Sequence, residues 1–321
     1  MGSQAEEGFW FGEIEVGTPP KTYRVQFDSL SSDLFLPGPS CKSSACHDHN
    51  IYNPRGSSTA QDTHRPFHIQ PENNPEITIR CEIYVDTVII GGLTVTTQAV
   101  GAAVDYPGSL ASDEFPPDGV LGFAFPKLSQ FGSRFTPLFS TLVARGLVTS
   151  PEFGVKLSQS DSQLFVGGVN SDSYRGDIIR TPVTEVGFWQ ISLDSANVNG
   201  NPIVSHRPAI IDTSSFAIHG PSRDVQRFYS AIPGAQDIGQ GIWTFPCGSL
   251  PPLGLTFGGY PWAISPESFN LGPKSEGSSS CIGALVALDS DDLWLIGNVF
   301  LQNVYTVFNI ETKEVGEANL K

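Results

Sequence analysis

The sequence predicts an all-β protein made of two related halves, and three observations carry that expectation. Turn formers are abundant, with 33 Gly and 25 Pro, while only 16% of residues are charged. Short runs of alternating apolar residues recur, whereas helical periodicity is rare. Two segments also look alike: Phe27-Asp28-Ser29-Leu30-Ser31-Ser32 and Ile211-Asp212-Thr213-Ser214-Ser215-Phe216. Each sets an aspartate after apolar residues and ahead of hydroxyl residues. They lie 184 positions apart (212 minus 28), roughly one domain length.

The elements follow in order. Phe9 to Val16 alternates and closes on the turn Gly17-Thr18-Pro19-Pro20. Thr22 to Phe27 is a strand leading into Asp28. Ile77 to Ile90 alternates up to Gly91-Gly92. Thr136 to Arg145 reads as a helix, with Pro137 near its start and Gly146 past its end. Leu164 to Val169 and Phe188 to Leu193 are strands. Ser222 to Ala231 is a second helix, ended by Pro233, and Tyr305 to Ile310 is a late strand. A further repeat, Val120-Leu121-Gly122 and Leu295-Ile296-Gly297, follows each aspartate at a comparable distance. Matching order in both halves favours duplication over chance. The boundary is expected near Arg180 to Gly187, giving an N-terminal lobe 1–182 and a C-terminal lobe 183–321.

With 321 residues and 39% hydrophobic content, the chain can build a full core. A net charge of −15 disfavours nucleic acid and anionic membrane partners. No apolar run approaches the ~20 residues of a membrane span; the longest, Ile282 to Leu288, is far shorter. The phosphate-cradling loop ending in Gly-Lys-Ser/Thr, the nucleophile elbow and His-Glu-x-x-His are all missing, so no cofactor is expected. Of five cysteines, Cys41 with Cys46 and Cys247 with Cys281 form the simplest pairs, leaving Cys81 as a strand thiol. That pattern favours an oxidising compartment. Zinc held by Cys41, Cys46, His47 and His49 is the competing reading, disfavoured by its crowded spacing. Met1-Gly2-Ser3 reads as an added start, with a secretion signal and pro-segment expected to have been removed.

At Gly17-Thr18-Pro19-Pro20, Asp118-Gly119-Val120-Leu121-Gly122, Phe188-Trp189-Gln190-Ile191 and Trp294-Leu295-Ile296-Gly297-Asn298 the chain resembles the pepsin-like aspartic proteases, in that family's order and over nearly its whole length. The resemblance implies a bilobal all-β fold with a central cleft and a few short helices. It implies one catalytic aspartate per lobe, Asp28 and Asp212. It also implies that Ser29 and Thr213 lock the two loops together, that Ser31 and Ser215 hydrogen-bond the aspartates, and that the disulfides are Cys41–Cys46 and Cys247–Cys281. Two facing carboxyls share one proton, as is established for the aspartic proteases themselves, and so supply an acid and a base at one site.

The chain departs from the family at several positions. The glycine that follows the hydroxyl in each catalytic motif is Leu30 in one loop and Ser214 in the other. Glycine there leaves the backbone bare for an extended peptide; leucine adds four carbons beside Asp28. The stretch matching the family's hairpin flap runs from Pro71 and Glu72 to Cys81, without the usual tyrosine or glycines. Phe35 stands where a tryptophan is usual, and Asn298 where an aspartate is frequent. These departures put first a repurposed enzyme, using Asp28 and Asp212 on a small molecule in a pocket lined by Leu30, Ser214, Phe115, Val120 and Phe216, with Pro71 and Glu72 at its rim. An acid endopeptidase cleaving between apolar residues comes second. A silent peptide- or inhibitor-binding homologue comes third. In each case the partner is a small molecule or peptide, no metal is expected, and the protein is expected to be a secreted monomer.

Overall fold

The computed structural model describes residues 4–6, 9–70, 78–158 and 160–321. The chain is dominated by strands with a few short helices, as its turn-rich composition implies, and it divides into two compact units. The first comprises residues 1–153 and 159–169, the second 154–158 and 170–321. No described helix is long and apolar enough to cross a membrane.

In the first unit an eight-stranded sheet runs in the order Gln4–Glu6, Phe9–Val16, Lys21–Asp28, Gly119–Gly122, Leu34–Pro37, Leu93–Ala103, Ile79–Ile90, Gln61–Ile69. Glu15 and Val16 also pair with Ile89 and Val88, so the sheet curls back on itself. Alternation drives these strands: Ile14 and Val16 are buried while Glu13 is exposed, which is the period of a half-covered strand. Gly17 takes a left-handed φ of 93° at the turn, a conformation that favours glycine. The core gathers Phe35, Ile69, Ile79, Ile83, Phe115, Val120 and Phe131. Cys41–Cys46 is a disulfide at its edge, and Cys81 is a free, buried thiol.

In the second unit the hairpin Trp189–Val198 and Asn201–Ile211 turns at Asn199-Gly200, both at positive φ, the turn chemistry that suits strand twist. Its sheet runs Tyr260–Ile264, Leu253–Phe257, Trp189–Val198, Asn201–Ile211, Trp294–Ile296, Ile218–Pro221, Leu285–Leu288. A smaller sheet carries the Cys247–Cys281 disulfide beside Trp243–Pro246 and Ser280–Gly283. Glu314–Leu320 lies between Val304–Asn309 and Tyr174–Pro182, antiparallel to both.

The repeat read from the sequence is a repeat of topology. In the first unit the strand ending at Asp28 runs parallel to Gly119–Gly122, and Leu34–Pro37 returns antiparallel on the other side. In the second, the strand ending at Ile211 runs parallel to Trp294–Ile296, and Ile218–Pro221 returns antiparallel. Each aspartate therefore opens a loop that arches over the end of a short strand, at Gly122 in the first unit and at Gly297, just past Ile296, in the second.

Candidate active site

The glycine is required in both loops because backbone crosses directly above it. A Cβ at Gly122 would collide with the backbone of Ser31 and Ser32, and one at Gly297 with the carbonyls of Ser215 and Ala217. The close crossing is then stitched. Ala124 N–H donates to the Ser31 carbonyl (2.8 Å), Phe123 N–H to that of Asp28 (2.7 Å) and Gly122 N–H to that of Asp33 (3.0 Å). In the second unit Asn298 N–H donates to Ser215 (2.8 Å), Val299 N–H to Phe216 (2.9 Å), and Asp212 N–H to Ile296 (3.0 Å). These backbone bonds hold each aspartate at a fixed place above the sheet.

Both carboxyls accept donors from the residues that follow them. Asp28 Oδ1 accepts the Leu30 N–H at 2.8 Å. Asp212 is fully buried, and its Oδ1 accepts the Ser214 N–H (2.8 Å), the Ser214 hydroxyl (2.7 Å) and the Ser215 N–H (3.1 Å). Ser214, standing where the family motif has glycine, thus adds a side-chain donor that glycine and leucine both lack. Asp212 Oδ2 is buried and has no hydrogen-bond partner among the described residues. A buried carboxyl oxygen left bare is costly.

The other expected site residues distribute unevenly. Ser29 and Thr213 are buried beside their aspartates. The Ser31 hydroxyl is buried without a partner among the described residues. Leu30 and Ser215 are half-buried, and Phe216 is exposed. Phe115 and Val120 belong to the core of the first unit. Pro71 and Glu72 lie outside the described residues. Phe35 packs edge-on against Tyr106 at 6.2 Å, filling core space without an indole donor. Asn298 is fully buried at the start of the helix Asn298–Leu301, and neither side-chain amide atom has a partner among the described residues.

Sequence reading missed two neighbours. Asp33 is buried at the far end of the Asp28 loop and accepts three hydrogen bonds from residues 129–131. His219 is half-buried on the strand leaving the Asp212 loop. Burial pushes its imidazole below the usual range, while the negative charge of Asp212 pulls the other way. The signal for His219 was an imidazole on the short strand Ile218–Pro221 that follows the Asp212 loop; Asp33 had none beyond its polar loop. Among the described residues no group of three His, Cys, Asp or Glu side chains is placed to hold a metal.

Residues 9–320 match the family model described as eukaryotic aspartyl protease. The chain belongs to the eukaryotic aspartyl protease family. It is 38% identical to an aspartic protease of Phaffia rhodozyma, over 98% of this chain and 77% of that protein. It is 35% identical to pepsin A of Canis lupus familiaris and 36% to pepsin A of Sus scrofa, each over 96% of this chain and 80% of the relative. For an aspartyl protease, the paired topology places the aspartates where each loop crosses its glycine, and the Leu30 and Ser214 departures sit within the same turns.

Proposed function

We propose that this protein is an acid endopeptidase in which Asp28 and Asp212 act as a pair on one peptide bond. Family membership and identity to proteases along nearly the whole chain favour this over the small-molecule enzyme that the altered loops first suggested. The observation that carries it is Asp212: three donors converge on Oδ1 while Oδ2 is left bare and buried. A carboxyl kept only for structure would use both oxygens.

In the proposed reaction one carboxylate takes a proton from water, whose oxygen attacks the peptide carbonyl carbon. The protonated partner donates a hydrogen bond to the carbonyl oxygen. The proton then passes to the amide nitrogen as the C–N bond breaks. Leu30 and the exposed Phe216 would contact substrate side chains, which favours cleavage between apolar residues. The two disulfides suit secretion or another oxidising compartment.

Peptide-library cleavage at several acidic pH values tests this, comparing wild type with Asp28→Asn. Cleavage that falls by ~10³ or more in the variant is expected, within the range of general acid–base catalysis. A wild type that cuts no peptide, or a variant that cuts equally well, would defeat the peptidase reading.

A further inference from the structure

We propose that Asp33 is a positioning residue that clamps the Asp28 loop to residues 129–131 and, through Gln130, to the end of the edge strand Gln61–Ile69. The proposal rests on the peptidase reading for its effect on catalysis, but the clamp itself is visible in the first unit alone.

Asp33 closes the loop that Asp28 opens. Its carbonyl accepts the N–H of Gly122, the glycine over which that loop arches (3.0 Å). Its carboxyl, 8% exposed, reaches the other way. Oδ1 accepts the Ser129 hydroxyl at 2.6 Å, and Oδ2 accepts the N–H of Gln130 at 2.7 Å and of Phe131 at 3.3 Å. Both carboxyl oxygens are therefore spent on ordering one short segment. Gln130 passes the order on. Its Oε1 accepts the Gln70 N–H and its Nε2 donates to the Gln70 carbonyl, both at 2.8 Å. This side-chain amide mimics a strand partner just where the edge strand ends, bonding both the N–H and the carbonyl of one backbone residue. Phe131 adds an apolar contact, edge-on to Phe67 at 5.5 Å. An unbroken series of short contacts thus runs from the glycine floor through Asp33 and Gln130 to Gln70.

The clamp tolerates acid. The two N–H groups on Oδ2 can only donate, so a proton on Asp33 would sit on Oδ1. The Ser129 hydroxyl can then accept instead of donate across the same distance. The Cys81 thiol is the titratable group that feels Asp33, and burial keeps it protonated. Geometry rather than charge is what the clamp needs, so asparagine at 33 should preserve it and leucine should not.

The test measures kcat and KM for a cleaved peptide, together with amide hydrogen exchange, in Asp33→Leu, Asp33→Asn, Gln130→Leu and the double leucine variant. A lost pair of hydrogen bonds corresponds to about tenfold in the equilibrium that holds the Gln70 backbone in place, and in the peptidase reading that looseness is passed on to substrate binding. Gln130→Leu is expected to raise KM about tenfold while kcat changes less than about threefold. Asp33→Leu should raise KM at least as much, Asp33→Asn should restore it to within about threefold, and the double variant should add little to the larger single effect. The Gln70 amide should exchange faster in both leucine variants. Unchanged Gln70 exchange, or KM values equal to wild type in folded variants, overturns the proposal. A wild type that cleaves nothing defeats the peptidase reading instead, and the Gln70 exchange result then judges the clamp by itself.

Discussion

The two units bury carboxyls in different ways. In the first, Asp86 takes donors on both oxygens: Tyr52 on one, and Ser57, Thr59 and the Thr87 N–H on the other. Asp118 does the same with Asn50 and the Arg24 N–H, and so does Asp33 with residues 129–131. Among the described residues of the second unit, Asp224 is treated this way, held by Arg207 and Trp294. Asp212 has one crowded oxygen and one without a described partner, and Glu317 has no partner among the described residues on either oxygen. A carboxyl with all its acceptors used is a structural tie. A buried carboxyl with a bare oxygen carries a desolvation penalty, and in the peptidase reading proposed above Asp212 uses that oxygen for chemistry.

Glu317 supplies the largest expected effect. It lies fully buried on Glu314–Leu320, in register with Thr306 and Ile179, and burial alone pushes its carboxyl up to about 8 from 4.5. Because the folded value is raised, its contribution is fully present below the unfolded value and is lost as pH rises toward 8. At about 1.4 kcal/mol per pH unit, some ~3 kcal/mol of stability should disappear between pH 4.5 and 7. Glu317→Gln should flatten this loss in denaturant unfolding curves. If wild type and variant lose stability in parallel across that window, Glu317 belongs with the satisfied carboxyls and the contrast between the units fails.

A smaller effect compares the two aspartate loops. Ser214→Ala removes the hydroxyl donor from Asp212 Oδ1 and should lower kcat about tenfold, the order of one lost hydrogen bond. Leu30→Ala keeps the backbone donor on Asp28 and should leave kcat within about threefold. Equal losses in the two variants would show that the loops hold their aspartates alike. The smallest effect concerns His219, whose imidazole is lowered by burial and raised by Asp212. A proton NMR titration should place its midpoint below 6.5, and Asp212→Asn should lower it further. Since the folded value is depressed, its contribution is present above the unfolded value and fades as pH falls. A midpoint that rises in Asp212→Asn would separate His219 from the site.

Much of the architecture was legible because it is written in local pattern. Glu13 to Val16 alternates clearly enough to fix its buried face, with Ile14 and Val16 inward. Pro137 and Gly146 bracket the helix Leu138–Ala144, and Ser222–Ser230 stops ahead of Pro233. The paired aspartates and paired glycines announced a duplicated topology. What stayed hidden depends on contacts far along the chain. Asp33 reads as an ordinary loop acid, since its donors lie nearly a hundred positions away. Glu317 sits in an alternating strand where glutamate normally marks the wet face, and only the fold shows that both faces are covered. Ser214 read as a lost glycine; its hydroxyl bond to Asp212 needed the geometry of the turn.

Two carboxyls working as one unit is the central claim, and a double-variant comparison tests it most directly. Residual kcat on one cleaved peptide would be measured for Asp28→Asn, Asp212→Asn and the double variant. Groups that share one proton fail together, so the double variant should be no slower than the slower single, within about threefold. Losses that multiply would show two independent groups and contradict the account.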